Sequence, residues 1–237
     1  MSARVGLLKT SLVDYPGEVG ATVFTAGCNL RCPYCHNPEL ISFATPDDFV
    51  RLEDALCRLE KRKTVLGGVC ITGGEPLLQS WLPDFVSSIR SLGLKVKLDT
   101  NGTQPHRLTG LKVDYLALDL KLALHRYAEL GGSPTAQSAI RDTVAWAREY
   151  VPTVEYRTTV VPALVSDTDI DGIASILQPG DRLTIAAFRT GTTLDPAFSH
   201  AEEPTVEFLR SLQRRVESHG ILCSIRDHRE AVSLKGR

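Results

Sequence analysis

The chain has 237 residues, 43% of them hydrophobic and 23% charged, with a formal net charge of -1 at pH 7. This balance supports a sizeable core and excludes a disordered chain. It also excludes a global field that would draw the protein to nucleic acid or to an anionic membrane. In chain order, short β-branched runs alternate with amphipathic stretches. Strands are predicted over 21–25, 68–72, 95–99, 115–120, 154–161, 182–188 and 221–225. Most are nearly continuous apolar runs, as strands buried on both faces of a parallel sheet require.

Helices are predicted between them. The first covers 46–63, with Thr45 as N-cap, Pro46 in the first turn, and Phe49, Leu52, Ala55, Leu56 and Leu59 at helical spacing. The run Lys61-Arg62-Lys63 then complements the negative end of that helix dipole. Similar patterns cover 83–92, 135–150, 167–177 and 203–219, and the mildly basic tail from Arg226 to Arg237 reads as solvated. The β-α-β-α order implies an α/β fold with parallel strands and right-handed crossovers. About six β/α units are too few for a closed eight-fold barrel. The expectation is one domain built as a partial, open parallel β/α barrel, with a doubly wound sheet as the alternative. No apolar run reaches the length of a membrane span, and the N-terminus lacks a signal peptide's apolar core. A cytoplasmic protein without a membrane or nucleic-acid partner is expected.

Sites in such folds gather at the C-terminal ends of the strands. Cys28 follows the first predicted strand, and Gly73-Gly74-Glu75-Pro76 follows the second. Asp99-Thr100-Asn101-Gly102 ends the third, Asp119-Leu120-Lys121 the fourth, and Arg189 follows the strand ending at Phe188. The special residues therefore share one end of the inferred sheet.

The strongest local signal is Gly27-Cys28-Asn29-Leu30-Arg31-Cys32-Pro33-Tyr34-Cys35-His36-Asn37. In a reducing compartment cysteines are metal ligands, catalysts or core fillers rather than disulfides. Three thiolates at the spacing C-x3-C-x2-C can wrap a cubane iron–sulfur cluster and leave one iron open to a substrate. Structural zinc held with His36 competes, but Cys35 and His36 are adjacent and neighbours seldom reach one tetrahedral ion together. Cys57, Cys70 and Cys223 lie in a predicted helix or strands and read as buried apolar fillers. The remaining histidines show no pairing pattern, and His36 reads as a satisfied loop residue.

The cysteine loop, with aromatic Tyr34 before its last thiol, resembles the radical S-adenosylmethionine enzymes. Lys9-Thr10-Ser11-Leu12-Val13-Asp14-Tyr15-Pro16-Gly17, followed by Cys32-Pro33-Tyr34-Cys35-His36-Asn37-Pro38-Glu39-Leu40, resembles their glycyl-radical activating branch. The likeness is greatest to activators of anaerobic ribonucleoside-triphosphate reductase, and next to those of pyruvate formate-lyase. It covers about residues 5–190, in motif order. The resemblance implies a [4Fe–4S] cluster on Cys28, Cys32 and Cys35, and S-adenosylmethionine chelating the open iron. It implies one-electron reduction by flavodoxin or ferredoxin, and a glycyl radical made on a partner enzyme. It implies that Gly73, Gly74 and Glu75 hold the amino group of S-adenosylmethionine, although Gly-Gly would also serve a plain turn.

By the same resemblance Asp99, Thr100 and Asp119 would hold a monovalent cation, and Lys121 would stand at substrate or cofactor. Two carboxylates at neighbouring strand ends repel unless a cation, a sulfonium or Lys121 relieves them. A simple Asn-Gly turn is the competing explanation for Asp99–Gly102. Asn37, Arg157 and Arg189 match positions near the ligand, Arg189 standing where the relative has histidine. A structural ion pair with Glu155 or a neighbour competes for Arg157. The segment from Gly191 to Pro204 and the last helix are candidate docking surface. Two further functions stay open: a radical enzyme acting on a small molecule, and a noncatalytic metal-binding module.

Overall fold

The computed structural model describes residues 3–229. A single sheet holds nine strands in the order β3-β1-β2-β4-β5-β6-β7-β8-β9. The elements are β1 (Arg4–Ser11), β2 (Gly20–Thr25), β3 (Val50–Arg51), α1 (Leu52–Glu60), β4 (Gly68–Gly73), α2 (Leu82–Ser91), β5 (Lys95–Thr100) and β6 (Tyr115–Asp119). They continue with α3 (Ala136–Tyr150), β7 (Thr153–Val160), α4 (Asp167–Ala174), β8 (Arg182–Ala187), α5 (Val206–Glu217) and β9 (Leu222–Arg226). From β2 through β9 every neighbouring pair in that order is parallel. Six crossovers join these strands. A helix forms five of them, and a single 3-10 turn at Pro105–Arg107 connects β5 to β6. The sheet does not close, so the expectation of an open parallel barrel holds.

The parallel strands form because both faces are covered. Alternation along β5 sends Val96 and Leu98 to the helix side and Lys97 and Asp99 to the inner side. On the helix side Val69, Ile71, Val96, Leu98 and Leu116 pack with Ala55 and Leu59 of α1 and with Phe85, Val86 and Ile89 of α2. The other half of the sheet packs Leu118, Tyr156, Val160, Leu183 and Ile185 against α3, α4 and α5. Each buried aliphatic side chain contributes about 1.5–3 kcal/mol of transfer free energy. In α3 the buried residues Ala136, Ala139, Ile140, Thr143, Val144 and Ala147 keep one helical face toward the sheet. Ser166 and Asp169 cap α4 reciprocally, which fixes where that crossover begins.

Two strands were not foreseen. β1 runs antiparallel to β2, and β3 pairs antiparallel with β1 through Arg4–Arg51 and Val5–Val50. The helix expected over 46–63 therefore begins only at Leu52, because Val50 and Arg51 are extended edge residues and Arg51 takes the cap position. Cys57 projects from α1 into solvent instead of filling core, and Cys223 is half-buried, while Cys70 is buried as expected. Of the basic tail, Arg226 reaches Glu155 and Arg229 pairs with Asp227; residues 230–237 lie outside the described residues. No helix among the described residues is long and apolar enough to cross a membrane.

Candidate functional site

The cysteine loop leaves β2 and is closed at its base by backbone bonds. Gly27 N donates to Leu40 O at 2.8 Å, and Cys28 N donates to Ile41 O at 3.0 Å. Cys35 N turns back onto Cys32 O at 3.0 Å. Three other segments hold the loop from outside. Glu75 N donates to Gly27 O, Arg31 N to Leu130 O, and Leu194 N and Asp195 N to the carbonyls of Cys35 and Pro33. The last two come from the Gly191–Pro204 segment, the candidate docking surface, which thus also braces the cysteine loop. His36 is satisfied there as expected, with Nδ1 3.0 Å from Thr192 O and its ring stacked on Phe188.

A cavity of about 250 Å³ opens at the C-terminal ends of the strands. Its wall includes Cys28, Cys32, Cys35 and Asn37 from the loop. Gly73 and Gly74 come from the end of β4, Asp99 and Thr100 from β5, and Asp119 and Lys121 from β6. The crossover topology thus brings together ten predicted residues whose positions span much of the chain. Burial pushes the Cys28 thiol upward and the Cys32 thiol up to about 11. Both would deprotonate only against a compensating positive charge, which a bound metal cluster supplies. Tyr34 also lines the cavity, and its hydroxyl is buried without a hydrogen-bond partner.

The two glycines at the end of β4 are required by packing. Gly73 has φ +112°, and a Cβ there would sit 2.5 Å from Thr25 N. A Cβ on Gly74 would run into Gly27 O and lie 2.8 Å from Leu40 O. The β4 end therefore presses directly on the base of the cysteine loop. Gly74→Ala is expected to cost about 1–3 kcal/mol, as overpacking does. The check is a urea melt, and a midpoint unchanged from the parent would refute the contact.

Glu75 is 1% exposed and lies beneath the cavity wall, not on it. Its carboxylate accepts from Leu77 N at 3.0 Å, Thr100 Oγ1 at 2.7 Å and Asn101 N at 2.7 Å. Burial pushes this carboxyl up to about 7 against the pull of those donors.

Charged side chains alternate across the inner face. Lys97 pairs with Asp99, Asp99 with Arg157 at 3.2 Å, Arg157 with Asp119 at 2.8 Å, and Asp119 with Lys121 at 3.4 Å. Burial would raise the Asp119 carboxyl, but Arg157 and Lys121 outweigh it and hold it at about 2. Burial likewise works against charge on Lys121, yet Asp119 dominates and raises it well above the lysine range. Arg157 does form structural ion pairs, but with Asp99 and its cross-strand neighbour Asp119 rather than with Glu155. Glu155 instead engages Arg226, Tyr115 and Thr184. Asp99 and Asp119, suggested with Thr100 for a cation, belong to this same chain of ion pairs. Both carboxylates are already matched by Lys97, Arg157 and Lys121, and Thr100 donates to Glu75. Arg189 is exposed and does not line the cavity, because it lies past the end of β8 where the chain turns outward.

Sequence reading missed three polar residues here. Asn29, Asn101 and Thr103 join their side chains directly. The Asn-Gly turn was a visible signal for Asn101, but Asn29 and Thr103 carried none. Lys97 was also missed: a lysine inside a strand pattern gives no hint that it turns inward.

An open parallel β/α barrel with three loop thiols at its C-terminal rim defines an iron–sulfur class of protein. Residues 22–172 match the model of the radical SAM superfamily. A Methanocaldococcus jannaschii protein named "Putative glycyl-radical enzyme activating enzyme MJ1227" is 30% identical over 223 residues, 87% of this chain and 88% of that protein. A 7-carboxy-7-deazaguanine synthase of Methanopyrus kandleri is 34% identical over 135 residues, 47% of this chain and 52% of that protein. In fold, the chain is similar to Streptococcus suis SuiB bound to S-adenosylmethionine, with a TM-score of 0.64 and 17% identity. That match covers 85% of this chain but 48% of SuiB, so this chain spans about half the length of that protein. The chain belongs to the radical SAM superfamily. Its cofactors are those of the superfamily, a [4Fe–4S] cluster and S-adenosylmethionine.

The residues present fit that pair. A cubane takes each thiolate on a different iron, and three thiols of one loop line one cavity. No three His, Cys, Asp or Glu side chains among the described residues converge tightly enough for a single ion, a convergence that a cubane does not need. The glycine backbone at the end of β4 and the Lys121 ammonium offer acceptor and donor groups on the same wall.

Proposed function

We propose that this chain activates a glycyl-radical enzyme, and that the partner is the anaerobic ribonucleoside-triphosphate reductase. The cavity carries the reading: three loop thiols, glycine backbone and a charged lysine share one wall at the strand ends. Similarity over nearly the whole length of the M. jannaschii relative supports it.

In this reading Cys28, Cys32 and Cys35 hold the cluster as thiolates. The backbone of Gly73 and Gly74 accepts from the amino group of S-adenosylmethionine. Lys121 donates to its carboxylate, and Asp119, itself fixed by Arg157, keeps that ammonium charged and aimed. Asn37, Asp99 and Thr100 complete the polar wall, while Glu75 supports it from below. A cluster held there and reduced by flavodoxin or ferredoxin would supply the one electron needed to cleave S-adenosylmethionine to methionine and a 5′-deoxyadenosyl radical. That radical would take a hydrogen atom from a glycine Cα of the partner, giving 5′-deoxyadenosine and a glycyl radical. The protein's own contribution is orientation and exclusion of water.

The test mixes the anaerobically reduced protein with S-adenosylmethionine and the reductase. A glycyl radical in the paramagnetic resonance spectrum, matched by 5′-deoxyadenosine formation, is the expected result. A radical on pyruvate formate-lyase but not on the reductase would reassign the partner. The deazaguanine synthase relative favours a second reading, in which the radical attacks a small molecule. Turnover of such a molecule, with no radical on any protein partner, would replace the first reading by the second.

A further inference from the structure

Three loops meet at the strand ends: the cysteine loop, the turn after β4 and the turn after β5. Backbone bonds join the first two through Glu75 N and Gly27 O. No backbone hydrogen bond joins the cysteine loop to residues 99–103 among the described residues. That connection is made by side chains alone. Asn29, which stands between Cys28 and Cys32, donates from Nδ2 to Thr103 Oγ1 at 2.7 Å. Its Oδ1 accepts from Asn101 Nδ2 at 2.9 Å. Asn101 Oδ1 closes the triangle by accepting from Thr103 Oγ1 at 2.6 Å and from Thr103 N at 3.0 Å. The backbone of Asn101 then anchors the triangle to Glu75, as does Thr100. Asn101 and Thr103 are 5% and 8% exposed.

We propose that Asn29, Asn101 and Thr103 are positioning residues that set the register between the thiol loop and the strand-end groups binding S-adenosylmethionine. This rests on the radical SAM reading of the cavity. The physical reason is that the ligand must be gripped from two sides at once. One side is the open iron carried by the cysteine loop; the other is the wall formed by Gly73, Gly74, Asp99 and Lys121. An error of about 1 Å between those sides is enough to cost a hundredfold in a reaction that depends on alignment. Each of the three side chains bonds both others, which favours one arrangement; losing the Thr103 hydroxyl leaves Asn29 Nδ2 without its acceptor and Asn101 Oδ1 with the Thr103 amide alone. None of the three side chains carries a formal charge, so the triangle acts on the thiols chiefly through placement.

Thr103→Val keeps the shape and removes only the hydroxyl; Thr103→Ser restores it. Both are loaded with iron and sulfide, reduced, and titrated with S-adenosylmethionine while the cluster's paramagnetic resonance spectrum is followed. The expected result is unchanged iron content in both. The apparent dissociation constant rises about tenfold in Thr103→Val and returns to within about threefold of the parent in Thr103→Ser. Hydrogen exchange of the metal-free protein gives a readout independent of the cofactors: amides of residues 28–36 should exchange faster in Thr103→Val only. Asn29→Ala should reproduce both effects, and adding it to Thr103→Val should cost little more. Equal titrations of parent and Thr103→Val would overturn the proposal. So would failure of Thr103→Ser to rescue, or loss of iron as the primary effect. If even the parent's spectrum ignored the ligand, the reading of the cavity itself would fail, a distinct outcome. Should Thr103→Val not fold, the Asn29→Ala protein decides by the same two measurements.

Discussion

Replacing Cys32 with alanine is expected to abolish cluster loading and S-adenosylmethionine cleavage together. Cys32 is buried on the cavity wall beside Cys28 and Cys35, and the loop that carries it is fixed by six outside and basal backbone bonds. That rigidity leaves no spare thiol to take its place. Cys70 points into the sheet interior toward Asp99 and Lys97, and Cys57 and Cys223 lie on α1 and β9. Changing groups that merely support a metal ligand costs 10- to 100-fold in affinity or activity, so losing the ligand should exceed about 100-fold. Iron should fall from about four per chain to background, measured by metal analysis alongside 5′-deoxyadenosine formation. Cys57→Ala is the control and should match the parent. A Cys32→Ala protein that kept both its iron and its cleavage would sink the cavity assignment.

Arg157→Met should give the largest loss of stability. The guanidinium is shared by two carboxylates, and its side chain is 15% exposed. Removing one partner of a buried ionic network typically costs 3–5 kcal/mol because a charge is left unmatched. For a chain of this size that corresponds to a melting point lower by about 6–20 °C. The sign of the pH dependence follows from Asp119. In the parent its folded pKa, about 2, is depressed below the unfolded value. It therefore contributes stability above the unfolded pKa and loses it as pH falls toward 2. Without Arg157, one of the two cations that hold the Asp119 carboxyl down is gone, so it takes up a proton more readily, which relieves the unmatched charge in acid. The gap between parent and variant should accordingly be wide at pH 7 and shrink toward pH 4. A gap independent of pH would show that the arginine acts through packing rather than charge. Arg157→Lys should fall between, since an ammonium restores charge but cannot fork across both carboxylates.

The parallel strands were legible because each is buried on both faces and so leaves an unbroken apolar run. The run Gly68–Gly73 and the run Lys95–Thr100 differ from their predicted bounds by one residue. β1 was not legible, since its exposed Lys9 and Thr10 break the pattern, and it is a strand only because β2 and β3 pair with it. The same holds for Val50 and Arg51, two residues that a helical pattern absorbed. Within the site, the thiol spacing and the glycine pair were readable because a loop's chemistry lies within a few residues of chain. The arginine bridge was not, although Asp119 and Arg157 prove to be register partners on β6 and β7.

The amino-acid sequence alone therefore determined the β/α order, the end of the sheet where chemistry gathers, and the thiol loop that identifies the superfamily. Those features depend on hydrophobic period and short-range spacing, which are properties of neighbouring residues. Only the tertiary structure decided that Arg157 occupies the space between Asp99 and Asp119, that Glu75 lies under the wall, and that Asn29 meets Asn101 and Thr103. Such pairings depend on strand register and on how closely glycine backbones let loops approach. Both are set when the sheet forms, between residues far apart in the chain.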